Sequence, residues 1–495
     1  MNRLLSRLGL RHGEHISVAR DFSIYSIVNV GSLVLLLGTA LVLRRYLGAV
    51  QAGVWITLDL LPKYAQYAPL GLLNAAERDL PYLLGAGQLD EFDRRKHTLF
   101  WVSNAIGITL TVLVAAGALI FRPRMASPEL FSGTLAYAPL LWMQILAAYY
   151  VVIYRARRRF VELSTRQGIA NFTKAVLTMA GGYWFGLYGV FGALLVSSAV
   201  QLVLFHTGLA ERFEPVFERR ILAPMVIAGL PMLLGAVAFE TIRNADQIVI
   251  PLRRGLETAG FYSVVAIVCQ GIFYFPNTLG LVMFPRFQER YGKTQTMESL
   301  RKFVELPLHV LSEVLLAAIA VLLVALPPAL LAFLPDYSAS IPPLRVMLVA
   351  TYFLCLSPPA GQFLLTIHKQ IPVLFIAIPA MIIALVAAYI GTSYGLVGVA
   401  TGIAIASFLY FVTINAYAFS HLGDRSPGVR PLATICLKAV GVLGVVWLIE
   451  RFVAIGPQPV GVIGGWRLVA AMLLTLPLLA SAASRVRAMS GATLG

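Results

Sequence analysis

The chain has 495 residues, 59% of them hydrophobic and only 13% charged, with a net charge of +16 and a mean hydropathy of +0.80. Soluble domains carry about 25% charged residues, so this composition excludes a soluble enzyme or free binding module and requires an integral membrane protein, all-α and polytopic. The three cysteines, Cys269, Cys355 and Cys436, lie in apolar runs without metal-ligand spacing, and their odd number argues against a disulfide framework.

The basic start, through Arg20, has too short an apolar stretch for a cleavable signal and reads as a cytoplasmic amphipathic leader. Crossing the hydrocarbon core as a helix takes ~20 apolar residues. About fourteen candidates follow: 22–43, 51–76, 98–121, 132–154, 167–185 and 187–207, then 221–242, 257–284, 305–334, 340–367, 370–390 and 394–418, and finally 431–450 and 463–482. With the N-terminus cytoplasmic, 26 of the 39 Lys and Arg fall on inner segments, most densely at 155–159, and 8, including Arg44, fall on outer loops. The remaining five, Lys63, Lys174, Arg345, Lys438 and Arg467, lie within spans. The positive-inside rule then places both termini in the cytoplasm. The same bias puts most of the net charge at the anionic inner leaflet, which accounts for the basic character without nucleic acid.

The chain repeats itself. The string RYLGAVQAGVW at 45–55 returns as LRRGLETAGFY at 252–262, aligning Gly48 with Gly255 and Gly53 with Gly260 at an offset of 207. A second echo pairs YGVFGA from Tyr188 with YGLVGV from Tyr394, at an offset of 206. Such a duplication points to a transporter built of two halves. Each half holds six spans, an even number, so the two lobes are parallel, related by an axis along the membrane normal. The expected organisation is a lobe at 1–210, a second at 215–420 and two additional helices at 430–485. The loops are too short for a soluble domain, so function falls to the membrane region.

Charged side chains within a membrane cost ~2.5 to 3.5 kcal/mol each and mark interiors or wet cavities. In the second span Asp59, Lys63, Gln66, Asn74 and Glu77 fall within an arc of roughly 80° at helical spacing, with Tyr67 at its edge. The duplicate carries Gln270, Tyr274 and Asn277 at the positions of Lys63, Tyr67 and Leu70, without charge. Asp59 and Lys63 have the order of an i, i+4 ion pair, which leaves two readings open: a mutual structural pair, or a cation for an anionic group tuned by a carboxylate. Pro62, Pro69 and Pro276 are expected to interrupt these helices. Glu240, Arg243, Asn244 and Gln247 share a face and are expected as a water-exposed ion pair at the interface. Lys174 and Arg345 are lone cations, Glu313 has no local partner, and Gln201 is expected as an interhelical hydrogen-bonder. No GxSxG, HExxH or phosphate-cradling loop is present, so an enzyme is not expected, nor a metal or other cofactor.

The string AGLPMLLGAVAFETIRNADQIVIPLRRGLETAGFYSVV, with RRYLGAVQAGVW, LGLLNAAERDLPYLLGAGQ, LLAFLPDYSASIPPLRVML and YGLVGVATGIA, resembles polysaccharide flippases of the Wzx type. These belong to the multidrug, oligosaccharidyl-lipid and polysaccharide exporter superfamily, which includes MATE antiporters and the lipid II flippase. The resemblance implies an alternating-access transporter with two six-helix lobes around a central cavity. It implies as cargo an oligosaccharide on undecaprenyl pyrophosphate, moved to the periplasmic leaflet of the bacterial inner membrane for surface polysaccharides such as lipopolysaccharide. The substrate-binding candidates are Lys63, Gln66, Asn74, Lys174, Arg243, Gln270, Asn277 and Arg345. The carboxylates Asp59, Glu77, Asp79 and Glu313 are candidates for coupling to H+ or Na+. A MATE-like exporter of small organic cations and a membrane-embedded enzyme of polysaccharide assembly are the other classes in view.

Overall fold

The computed structural model describes residues 12–209, 214, 217–294, 298–422, 429–452, 469–470 and 472–485. Fourteen helices account for the elements named below: α1 His12–Leu58, α2 Leu60–Ala65, α3 Leu72–Gly85, α4 Leu89–Phe121, α5 Pro128–Ala156, α6 Phe160–Leu209, α7 Arg219–Thr294, α8 Glu298–Phe333, α9 Ile341–Cys355, α10 Pro358–Thr366, α11 Gln370–Gly391, α12 Gly395–Ser420, α13 Val429–Phe452 and α14 Met472–Arg485. No strand occurs among the described residues. Nine stretches among them are long and apolar enough to cross a membrane. Several exceed one crossing: a 50-residue helix such as α6 would be about 75 Å long, against a core of ~30 Å.

Glycines with positive φ divide these long elements. Gly48 (φ 71°) bends α1, Gly186 (φ 59°) bends α6, Gly255 (φ 83°) lies within α7, and Gly395 (φ 78°) opens α12. Only glycine takes this backbone without a Cβ penalty. Across the bend in α6, a Cβ on Gly181 would lie 2.4 Å from the Gly189 carbonyl oxygen; across the turn before α12, one on Gly391 would lie 2.4 Å from that of Gly398. Both turns therefore close by backbone contact. They also correct the register of the second echo: GLYGV at 186–190 matches GLVGV at 395–399, an offset of 209.

A third repeat has no sequence signal. At the end of α5, Arg157, Arg158 and Arg159 donate backbone N–H bonds to Ile153, Arg155 and Tyr154, with Arg158 at φ 56°. At the end of α10, Ile367, His368 and Lys369 donate to Phe363, Leu365 and Leu364 in the same order, with His368 at φ 59°. Each is a left-handed C-terminal cap that satisfies orphan helix carbonyls. The side chains differ because the motif lives in the backbone.

The second span departs from expectation. After α2 the chain makes a turn over residues 66–71, with Leu70 at φ 50° and Gly71 at φ 79°, before α3 resumes. The duplicate around Pro276 stays helical within α7, so Pro276 does not interrupt it. Proline costs one hydrogen bond in either copy. The difference lies two residues on, where Gly71 has Thr278 as its counterpart and the left-handed turn loses its glycine.

Contacts group the chain into two units, Met1–Val237 with Ile250–Ser263, and Ala238–Val249 with Val264–Gly495. In the first unit, one cluster gathers Phe92, Leu99, Tyr149, Tyr150, Tyr154 and Phe205, and another gathers Leu43, Val54, Leu58, Tyr137, Leu187 and Phe191. The duplicated segments also meet here. A Cβ on Gly53 would lie 1.7 Å from the Leu256 carbonyl oxygen, and one on Gly260 would lie 1.6 Å from that of Ala49. The contact is reciprocal under the 207-residue offset, and Arg44 Nε donates to Ser263 Oγ at 2.6 Å beside it. Arg44, expected on an outer loop, is instead a buried helix residue. In the second unit α12 packs along α9 and α11, with Phe353 against Phe408 and Phe411.

Lipid tails are as apolar as these side chains, so helix association depends on close packing and hydrogen bonds. A Gly53→Ala substitution should therefore cost about 2 kcal/mol or more through overpacking. Gly192→Ala, whose Cβ meets nothing within 4 Å, should be neutral or stabilising. Thermal melts of the two purified variants in detergent measure the difference.

Candidate functional site

Asp59 sits at the N-terminus of α2, and Lys63, one turn on, approaches it at 3.7 Å. Lys63 keeps 17% of its side chain exposed and Asp59 keeps 44%. Gln66 is exposed and donates to the Lys63 carbonyl oxygen at 2.8 Å. The turn at 66–71 separates these three from Asn74 and Glu77, so the five residues do not share one uninterrupted helix face. Asn74 is exposed on α3.

Two of the coupling candidates are held by arginines. Glu77 pairs with Arg155 at the end of α5. Asp79 takes Arg95 of α4 at 3.1 Å, and Arg95 also pairs with Glu91 at 2.8 Å. Glu313 of α8, without a local partner in sequence, is 1% exposed and receives three distant groups on one oxygen, Oε1. Lys438 of α13 lies at 2.5 Å, Ser481 of α14 at 3.0 Å and Arg485 of α14 at 3.5 Å. Its other oxygen, Oε2, is buried without a hydrogen-bond partner. The carboxylate thus joins both C-terminal helices to α8.

The cluster on α7 is buried rather than water-exposed. Glu240, Asn244, Asp246 and Gln247 are each less than a tenth exposed. Arg243 pairs with Glu240 at 3.0 Å and stacks 4.3 Å from the Phe273 ring centroid. Asn244 donates to Glu240 Oε1 at 2.8 Å, and Gln247 donates to Asn244 at 3.0 Å. Sequence spacing found the shared face correctly and misjudged its depth, because α7 continues past the expected span end at 242.

The remaining candidates are spread. Lys174 lies half-buried on α6, Arg345 is exposed on α9, and Gln270 is exposed on α7. The side chain of Asn277 lies outside the described residues, as do Arg467 and the first eleven residues of the leader. Gln201 donates to Gln167 at 3.1 Å across the bend of α6, an interhelical bond. Cys269 and Cys355 are buried and Cys436 is half-buried, all as free thiols. Among the described residues no three His, Cys, Asp or Glu gather as a metal site.

The sequence profile of a family described as polysaccharide biosynthesis protein matches residues 87–336 of the chain, half its length. The chain belongs to this polysaccharide biosynthesis family. Its fold is that of the exporter superfamily expected from sequence. The lipid II flippase MurJ, in an inward closed conformation, superposes with a TM-score of 0.70 at 14% identity, covering 93% of this chain and 98% of that one. An inward-facing MATE multidrug transporter gives 0.63 at 17% identity, covering 81% and 97%. A superfamily transporter from Pyrococcus furiosus, described for the reversed polarity of its binding pocket, gives 0.57 at 17% identity, covering 81% and 93%. No curated protein matches the chain.

Removing the Glu313 carboxylate should cost about 2 kcal/mol, less than a fully buried pair because Lys438 and Arg485 are each about a third exposed. Glu313→Leu with Lys438→Leu should recover most of that loss. A double-mutant cycle on thermal unfolding of the purified protein reads the coupling.

Proposed function

We propose that this protein is an alternating-access flippase that moves undecaprenyl-pyrophosphate-linked oligosaccharide from the cytoplasmic to the periplasmic leaflet of a bacterial inner membrane, with both termini cytoplasmic. The observation that carries this reading is membership in a polysaccharide biosynthesis family combined with the fold of superfamily transporters. The extent of the matches adds support. The flippase structure covers 93% of this chain and the inward-facing MATE transporter 81%. The two lobes of the proposal are the sequence repeats at 1–210 and 215–420, followed by that segment.

The physics of the cargo sets the task. Sugar hydroxyls and phosphates lose water on entering hydrocarbon and need replacement partners within the protein. The membrane potential favours outward movement of an anion by ~2.3 kcal/mol per charge per 100 mV. Lys63 is the cation we favour for a phosphate group, because it lies with Asp59 on the short helix α2, beside the break in the second span at residues 66–71. For the same reason Asp59 is the coupling carboxylate we favour for H+ or Na+. Glu77, Asp79 and Glu313 are each committed to cations at shorter range.

In cells depleted of the protein, the lipid-linked oligosaccharide should accumulate on the cytoplasmic leaflet and clear when expression is restored. An unchanged distribution with the glycan pathway active would exclude this cargo and favour export of small organic cations. Lys63→Ala should lower flipping at least about tenfold, the loss of one charge-assisted hydrogen bond, with membrane insertion unchanged. Asp59→Asn should abolish any dependence of the rate on a proton or sodium gradient while leaving potential-driven movement. Flux measurements in reconstituted vesicles separate the two.

A further inference from the structure

The first half of α6 carries two opposed faces. At 100° per residue, Thr165, Ile169, Phe172 and Val176 fall within about 60° of one another, and all four are exposed. Gln167, Asn171 and Lys174 occupy a second arc of about 60°, centred about 160° from the first, and all three are half-buried. The apolar arc suits lipid, so the polar arc is turned inward.

These residues form a directional chain. Gln201, on the returning half of α6, donates from Nε2 to Gln167 Oε1 at 3.1 Å, and Gln167 donates from Nε2 to Asn171 Oδ1 at 3.3 Å. Each amide thus uses one donor on the next carbonyl oxygen. Gln167 and Gln201 each keep one N–H donor, and among the described residues Asn171 Nδ2 and Gln201 Oε1 take no side-chain partner. Lys174 follows Asn171 by three residues, about one turn away. Whereas Lys63, Arg243 and Lys438 pair with carboxylates, Lys174 has no carboxylate partner among the described residues. An intramembrane ammonium of this kind requires an anion or water.

We propose that Lys174, Asn171, Gln167 and Gln201 form a subsite for the phosphate-proximal end of a lipid-linked sugar. The ammonium of Lys174 and the Asn171 amide take phosphate oxygens. The carboxamides of Gln167 and Gln201, each with a spare donor and acceptor capacity, take hydroxyls of the first sugar ring. The series covers about 10 Å of helix from residue 167 to residue 174, the span of a phosphate and one sugar. Gln167 and Asn171 carry no charge, so their part is invisible to a reading that looks for charge in the membrane. This inference rests on the flippase reading and specifies which end of the cargo meets α6.

The test uses the purified full-length chain and two probes, a polyprenyl pyrophosphate bearing a disaccharide and the same polyprenyl pyrophosphate without sugar. Binding is followed by native mass spectrometry, and flipping of the sugar-bearing probe is followed in vesicles. Lys174→Met should weaken both probes about tenfold, the loss of one charge-assisted hydrogen bond, and Lys174→Arg should restore binding. Gln167→Leu with Gln201→Leu should weaken only the sugar-bearing probe, by a similar factor, while the protein elutes as a single species. Wild-type binding of both probes by Lys174→Met, or equal loss on both probes in the double glutamine variant, would overturn the subsite and leave the flippase reading standing. A wild-type chain that neither binds nor flips the sugar-bearing probe would overturn both.

Discussion

Lipid offers no hydrogen-bond partner to a backbone amide, and every turn of this chain inside the membrane has to be made without one. Helices meet that demand along their length, but a polytopic chain must also reverse direction. Several reversals here are built from glycines with positive φ, two of them closed by the backbone contacts of Gly181 with Gly189 and of Gly391 with Gly398, while Arg158 and His368 make others as left-handed caps. A side chain at either contact would push the two helices apart at the point where they must meet. The same steric rule governs the crossing of Gly53 and Gly260, where two copies of one ancestral segment lie against each other's carbonyls. Small residues thus do here what hydrophobic burial does in water.

Charge follows a related logic. Glu77, Asp79, Glu240 and Glu313 each find cations, whereas the buried Asp246 accepts the backbone N–H of Gln247, and the choice of partner sorts the acids by role. Glu77 and Asp79 tie helix ends together through Arg155 and Arg95, and Glu313 secures α13 and α14 to α8. We assign cargo and coupling ions to the pair of Asp59 and Lys63 and to Lys174, whose ammonium has no carboxylate partner among the described residues. The break in the second span gives the first of these a setting its duplicate lacks. The turn at residues 66–71, closed by its own backbone bonds such as Leu70 N–H to Tyr67 and Leu72 N–H to Pro69, has no counterpart around Pro276, where the helix continues. Duplication supplied two equivalent helices, and one glycine made them different.

Much of this was legible in the residues. The apolar runs located the bends: the gaps left near 48, 186 and 392 coincide with Gly48, Gly186 and the turn before Gly395. The pair of Asp59 and Lys63 was readable because an i, i+4 contact is made by the helix itself. The depth of the α7 cluster was not, since exposure depends on what packs alongside, and Arg243 looked the same in sequence whether interfacial or buried. The partners of Glu313 lie 125 and more residues away, beyond any local periodicity. The repeated caps at Arg158 and His368 share a backbone and no side chains.

By itself the sequence determined the solvent, the helical class, the duplication and the superfamily, because composition, period and glycine placement act through local energetics that hold in any tertiary setting. Only the tertiary structure decided which charges find partners far along the chain, such as Glu313 with Lys438 and Arg485, and how deeply the α7 cluster is buried. Those outcomes depend on distances between segments far apart in the chain. The cost of a buried charge or an open backbone group is settled by whatever neighbour arrives.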